Sequence, residues 1–190
     1  MSNENQIVAI VGGAVAGSEA VYQLTERGIR CVVIEQNDLP YGKIEDGLPK
    51  WHTKQRKKQM ALINERVDQE LVDFVPNTKI GRDYSMGDLV NMGCSAVLMA
   101  NGAWKDRGFP VKEIAKYEGD NFYYQNPFVY WFNHHEQSTY EGEHIDVTDN
   151  AVVIGGGLAS IDVAKILQVE LVSNVLKERG IELSTLELEH

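Results

Sequence analysis

An α/β fold with a parallel, doubly wound sheet is predicted by three features of this 190-residue sequence. Two glycine-rich turns, VGGAVAG at 11–17 and IGGGLAS at 154–160, each close a short apolar run and open a helical pattern. The apolar runs are unbroken rather than alternating, which suits strands covered by helices on both faces. A second apolar run, RCVVI at 30–34, follows the first helical pattern and ends in an acid, Glu35. Strand, turn, helix, strand and terminal acid in that order form a dinucleotide-binding, Rossmann-like unit.

The first unit can be justified element by element. Ile7 to Val11 is a central strand. Gly12 allows the tight turn out of it, and Gly17 lets the following helix pack closely on the sheet. The amino-terminus of that helix offers free N–H groups to a diphosphate. Ala14 stands where backbone must approach phosphate, a mild departure from glycine. Ala16, Ala20, Val21 and Leu24 then recur at helical spacing until Gly28 stops the helix. Glu35 ends the second strand where a carboxylate can accept both hydroxyl protons of an adenosine ribose.

The second unit repeats the plan. Residues 151–154 are apolar and predict a strand, Gly155, Gly156 and Gly157 turn the chain, and a helix is expected from about Leu158 to Arg179. ERGI at 26–29 recurs at 178–181, and Glu35 and Glu187 each stand seven residues past the glycine of that repeat. A second strand is therefore expected to end at Glu187, which would repel a 2′-phosphate and favour NADH. Ser160 occupies the third small position. The alternative is an ordinary strand–turn–helix whose glycines serve backbone geometry alone.

Composition narrows the function. A net charge of −10 opposes nucleic acid and anionic membrane as partners, since both need clustered cations. The polar start MSNENQ lacks signal-peptide features and no apolar run approaches membrane-spanning length, so a cytoplasmic location is expected. Cys31 and Cys94 form no Cys-x-x-Cys pair, and His134 with His135 has no third ligand in view, so no dithiol relay or metal site is expected. Electron transfer would need a bound cofactor.

Between the turns, residues 37–47 read as an irregular loop at the carboxyl end of a parallel strand, where ligands usually sit; Tyr41, Gly42 and Lys43 are placed along a cofactor or on a plain surface connection. Residues 51–67 predict an amphipathic helix whose basic face carries Lys54, Arg56, Lys57 and Lys58. That face is either solvated or a docking patch for an acidic electron-transfer partner. Strands are expected at 72–75 and 96–100, with a short helix at 88–92 between them; the second strand runs into Asn101 and Gly102 and can pass close to a ligand. Seven aromatic residues fall within 122–132, a density that means a core or an interdomain seam.

Four stretches, VGGAVAGSEA with Glu35, PYGKIEDGLPKWHTKQRKK, ANGAWKDRGFP and AVVIGGGLASIDVAK, together resemble the FAD-dependent pyridine nucleotide oxidoreductases of the type that includes adrenodoxin reductase and the glutamate synthase small subunit. They stand in family order and span nearly the whole chain. The resemblance implies that Gly12, Gly13, Ala14, Ala16, Gly17, Glu35 and Gln36 hold the ADP half of FAD. It sets Gly42, Lys43, Gly47 and His52 along the ribityl and flavin region, Ile80 near adenine, and Asn101 and Gly102 where the chain passes the cofactor. Trp104 and Arg107 flank the crossing between domains. Gly155, Gly156, Gly157, Leu158, Ala159 and Ser160 open the NAD(P)H domain. Asn101 replaces the threonine usual in the family.

The implied organisation is an FAD domain over 1–110, an aromatic-rich connection over 111–150 and the start of an NAD(P)-binding domain over 151–190, together the first part of a longer protein. The segment returning to the FAD domain is missing, as is the iron–sulfur domain that precedes it in glutamate synthase small subunits. The implied chemistry is hydride transfer from NAD(P)H to FAD, then electrons to a protein or small-molecule acceptor that the sequence does not name; the alternatives are a nucleotide-binding module without catalysis and an FAD-independent NAD(P) enzyme. An uncovered aromatic seam would let the chain pair with itself as a homodimer.

Overall fold

The computed structural model describes residues 6–189. The chain divides into two compact units, the first made of Met1–Glu45 with Lys54–Ala103 and the second of Asp46–Thr53 with Trp104–His190.

The first unit carries the sheet. Its elements run β1 (Ile7–Val11), α1 (Val15–Thr25), β2 (Arg30–Ile34), α2 (Lys43–Asp46), α3 (Thr53–Val67), β3 (Val72–Val75), α4 (Met86–Asn91) and β4 (Ala96–Met99), with α2 and α3 reaching the unit's borders. The four strands are all parallel in the order β3-β2-β1-β4, so β1 is central. Ile10 stands beside Val33 on one side and Leu98 on the other.

Alternate residues of β1 serve opposite faces, as the strand period of two requires. Val8 and Ile10 pack with Val21, Cys31 and Val33, and Ala9 and Val11 pack with Ile34 and Leu89. Each such fully buried aliphatic side chain contributes roughly 1.5–3 kcal/mol, which explains why the apolar runs are continuous. Burial pushes the Cys31 thiol up to about 11, so it behaves as an inert core residue. Ser85 caps α4 in a reciprocal box, its hydroxyl accepting from Asp88 N–H while Asp88 accepts from Ser85 N–H.

The second unit is helical. A 3₁₀ turn (Lys112–Tyr117) leads to α5 (Gln125–His134), α6 (Leu158–Glu178) and α7 (Thr185–Glu189). Its core joins Trp51, Phe128, Val129, Trp131 and Phe132 to Ile145 and Ile166. The aromatic run is therefore largely core, centred on α5, with Tyr130 exposed. Residues 111–150 supply much of that core.

Two expected strands are corrected. Residues 151–154 are irregular, with Val152 84% and Ile154 66% exposed, and among the described residues the second unit contains no strand. A strand exists by pairing, and nothing described in this unit offers an edge. Glu187 ends no strand. It lies in α7 and accepts from the N–H and hydroxyl of Ser184 at 2.8 and 2.7 Å. Ser184-x-x-Glu187 is a capping box, a signal that outranks the spacing from Gly180 and removes this glutamate's expected role at a ribose.

Candidate functional site

The first turn is a close-packed corner. Gly12 has φ +97° and donates its N–H to the Ile34 carbonyl at 2.8 Å. A Cβ there would lie 2.6 Å from the Ala100 carbonyl oxygen and 3.0 Å from Asn101 Cα. One on Gly13 would lie 2.7 Å from Pro40 Cβ, and one on Gly17 would collide with the Gly12 carbonyl oxygen. All three glycines are thus required by their neighbours. The β4 exit at Ala100–Asn101 and the loop through Pro40 converge on the turn.

Ala14 is the N-cap of α1, with φ −70° and ψ −147°, and provides no side-chain cap; the first turn also holds no acid. Ser, Thr, Asn or Asp at that place would stabilise the helix by ~1 kcal/mol. Leaving the cap empty keeps the first-turn amides open toward an external acceptor. Val15 and Ala16 are exposed, while Gly17 and Ser18 are buried against the sheet.

Glu35 is the buried charge of this corner, only 4% exposed. One carboxylate oxygen accepts from Gly13 N–H at 3.0 Å and the other from Asn37 N–H at 3.1 Å. An ionised carboxylate has about four acceptor positions, so roughly two remain after those bonds. Thr78 N–H donates to the Glu35 carbonyl at 2.8 Å, which lays the segment leading to Ile80 beside this end of β2. Ile80 is half-buried against the Ala9 cluster. Gln36 is half-buried, Gly42 is buried with φ +50°, and Lys43 opens α2. Asn101 is exposed and Gly102 has φ +70°. The turn, Glu35, Pro40 and the β4 exit form one corner at the carboxyl ends of β1, β2 and β4.

Other candidates fall in the second unit. Gly47 is half-buried ahead of Trp51. Trp104 is about one-third exposed, and its carbonyl accepts from Asn126 Nδ2 at 3.3 Å. His52 Nε2 lies 3.0 Å from Asp162 Oδ1. Asp162 sits in the second turn of α6, inside the IDVAK stretch, and sequence reasoning did not single it out. The second glycine turn is open: among 155–160 only Ser160 is even partly buried, and Cβ atoms on Gly156 and Gly157 would meet nothing within 4 Å. Gly157 caps α6, again with no side-chain cap and no acid in the first turn.

The second unit also holds a partly buried ionic cluster that the sequence did not reveal. His135 stacks on Trp131 at 4.4 Å, its Nδ1 donates to the Trp131 carbonyl at 3.1 Å, and its Nε2 lies 3.7 Å from Glu170. Lys50 pairs with Glu136 at 2.5 Å, and Thr185 donates to Glu136 at 3.3 Å. Burial raises Glu170 above the usual glutamate value, against the opposing charges of His135 and Lys50. Burial pushes Glu136 the same way, but the Lys50 hydrogen bond and charge, with His135 and Thr185, outweigh it and leave the carboxyl lowered.

Known proteins resemble this chain in sequence and fold. The chain is 28% identical over 165 residues to NADPH:adrenodoxin oxidoreductase of Arabidopsis thaliana, covering 84% of this chain and 32% of that protein. It is 32% identical over 169 residues to a probable ferredoxin/ferredoxin–NADP reductase of Mycobacterium leprae, covering 84% and 28% respectively. The chain therefore spans about a third of the length of the relatives it matches. A solved structure of FprA from Mycobacterium tuberculosis superposes with a TM-score of 0.60 at 20% identity, over 67% of this chain and 29% of that one, and establishes the shared fold. Residues 6–185 match the pyridine nucleotide-disulphide oxidoreductase family. A parallel sheet, a glycine corner with its buried acid and a match along nearly all of its length show that the chain belongs to that family.

Proposed function

We propose that the protein is an FAD-dependent NAD(P)H oxidoreductase, and that the first unit of this chain holds the ADP half of the flavin cofactor. The observation that carries the reading is Glu35. A buried carboxylate, held by two backbone N–H groups and keeping roughly two acceptor positions, fits two adjacent ribose hydroxyls. The uncapped amides of α1 fit the diphosphate beside it. Three glycines that admit no Cβ keep the corner shallow enough for backbone to approach phosphate.

When bound, FAD supplies acceptance of a hydride and release of electrons singly or in pairs. The protein's share is binding and orientation. Glu35 fixes the adenosine end, and Asn101 and Gly102 pass beside the Gly12 corner. Gly42, Lys43 and Gly47 continue the cofactor contacts, and Ile80 lines the adenine side. His52 is a contact on the flavin side, its ring oriented by Asp162 at 3.0 Å. The turn from Gly155 to Ser160, with the open amides of α6, takes the diphosphate of the nicotinamide coenzyme. Names of the relatives, an adrenodoxin oxidoreductase and a ferredoxin reductase, support a small electron-carrier protein as acceptor.

The test is NAD(P)H-dependent dye reduction by the complete protein, with the released flavin identified as FAD. Glu35→Ala is expected to weaken ADP binding at least ~10-fold by calorimetry and to destabilise the first unit by about 1–3 kcal/mol, since two backbone donors lose their acceptor. A complete protein that takes up no flavin, or ADP affinity untouched by the substitution, refutes the assignment.

A further inference from the structure

We infer that the exposed lysine stripe of α3, formed by Lys54, Lys57 and Lys58, is the docking surface for an acidic electron-carrier protein. The inference rests on the oxidoreductase reading above and names where its acceptor binds.

The stripe is the most concentrated positive charge of a strongly acidic chain. Residues 47–64 contain five of the 18 Lys and Arg residues and none of the 28 Asp and Glu residues. Lys50 is spoken for by Glu136. On α3, Ile63 and Val67 are buried and Arg56, Met60 and Arg66 are partly covered, so one side of the helix packs inward. Lys54, Lys57, Lys58 and Ala61 lie at i, i+3, i+4 and i+7 on the opposite, exposed side.

That arrangement works against the helix. Lys54 and Lys58 are like charges at i and i+4, which destabilises by a few tenths of a kcal/mol. Cations in the first two turns also oppose the helix dipole. No acid stands three or four residues from any of the three, and among the described residues none of them forms an ion pair. The neighbouring basic residue Arg66, by contrast, is paired with Glu19. Unpaired lysines in an unfavourable place are best accounted for by charge that acts on something outside the chain.

Charge and position select the occupant. A chain of net charge −10 repels an acidic protein over most of its surface, so the stripe sets both the encounter and its orientation. The same net charge opposes nucleic acid, which needs basic residues over a longer track. Lys54 follows His52 by two residues, so their Cα atoms are within about 7 Å of each other.

The experiment compares the complete wild-type protein with a Lys54→Glu/Lys57→Glu/Lys58→Glu variant, using NAD(P)H-driven reduction of an acidic plant-type 2Fe–2S ferredoxin and of menadione, a small neutral acceptor. The variant is expected to fold at least as well, because acids in the first two turns of α3 favour the helix dipole that the lysines oppose. KM for ferredoxin at low salt should rise at least ~10-fold and lose its dependence on ionic strength, with kcat within about twofold and menadione reduction unchanged. Unchanged KM for ferredoxin with intact menadione reduction overturns the docking surface and leaves the oxidoreductase reading standing. A wild-type protein that reduces neither acceptor and holds no flavin overturns both. Oligo-dT retained by the wild type and released by the variant, with KM for ferredoxin unmoved, reassigns the stripe to nucleic acid.

Discussion

The two glycine-rich turns share a pattern and differ in what surrounds them. At the first, Ala100, Pro40 and the Gly12 carbonyl crowd every position where a Cβ would stand. At the second, Gly156 and Gly157 face open space, and only Gly155 is constrained, by the Ser160 hydroxyl. Both helices that follow lack a side-chain cap. The feature the turns have in common is thus the open helix terminus, a property of the local sequence. The feature they do not share is the tight corner, which the parallel sheet builds around the first turn alone.

That contrast is most sharply broken by paired substitutions. Gly17→Ala forces a methyl group into the Gly12 carbonyl, a backbone atom that cannot swing away, and is expected to destabilise the first unit by at least ~3 kcal/mol. Gly156→Ala meets nothing and should stay within about ±0.5 kcal/mol. Denaturant unfolding followed by hydrogen exchange in β1 and α6 reads both. Equal effects would mean that the corner is not set by close packing.

The first unit was largely legible in the sequence because its signals are local and agree with one another. The run at 7–11, the stop at Gly28 and the acid at Glu35 each have a structural counterpart at the expected place. Residues 151–154 carry the same apolar signal without forming a strand, because pairing partners are a non-local requirement that periodicity does not encode. Asp162 escaped notice for a related reason. Its meaning comes from His52, 110 residues away in sequence, and a lone acid early in a helix reads as solvated. Glu187 misled in the opposite direction, since repeat spacing suggested a strand end while Ser184 three residues earlier was the more physical signal.

The units differ next in how they bury charge. Glu35 is held by backbone N–H groups, whereas the buried Glu170 shares a cluster with the partly exposed Glu136, with His135, Lys50 and, further along α6, Lys177. Glu170 is raised in the folded state, mainly by burial, so the native protein keeps its proton after the unfolded chain has lost it. Its stabilisation is complete below the usual value of 4.5 and declines as pH rises through the raised native value. Glu136 is lowered, so its contribution is present above 4.5 and is lost as pH falls through the native value. Glu170→Gln keeps the shape and removes the titration. Hydrogen exchange in α5 and α6 should then lose its weakening above pH 4.5 while the acid-side loss remains. A variant whose pH profile matches the wild type would place the titrating group elsewhere.

The smallest effect distinguishes the two capping boxes. Ser85 with Asp88 opens α4, which buries Leu89 in the lower cluster of the sheet, so loss of the cap is transmitted to a packed element. Ser184 with Glu187 opens α7, a helix of five residues whose Thr185 is buried and donates to Glu136. In both boxes serine accepts the N–H three residues on, at 3.2 Å in α4 and 3.3 Å in α7. Alanine at Ser85 should therefore cost about 1 kcal/mol in unfolding of the first unit. Alanine at Ser184 removes an equivalent bond, but a helix this short is marginal without tertiary support. Its loss should appear as faster amide exchange confined to α7, with the unfolding midpoint nearly unchanged. A midpoint shift as large as that of Ser85→Ala would show instead that α7, through Thr185 and Glu136, is an integral part of the second unit's core.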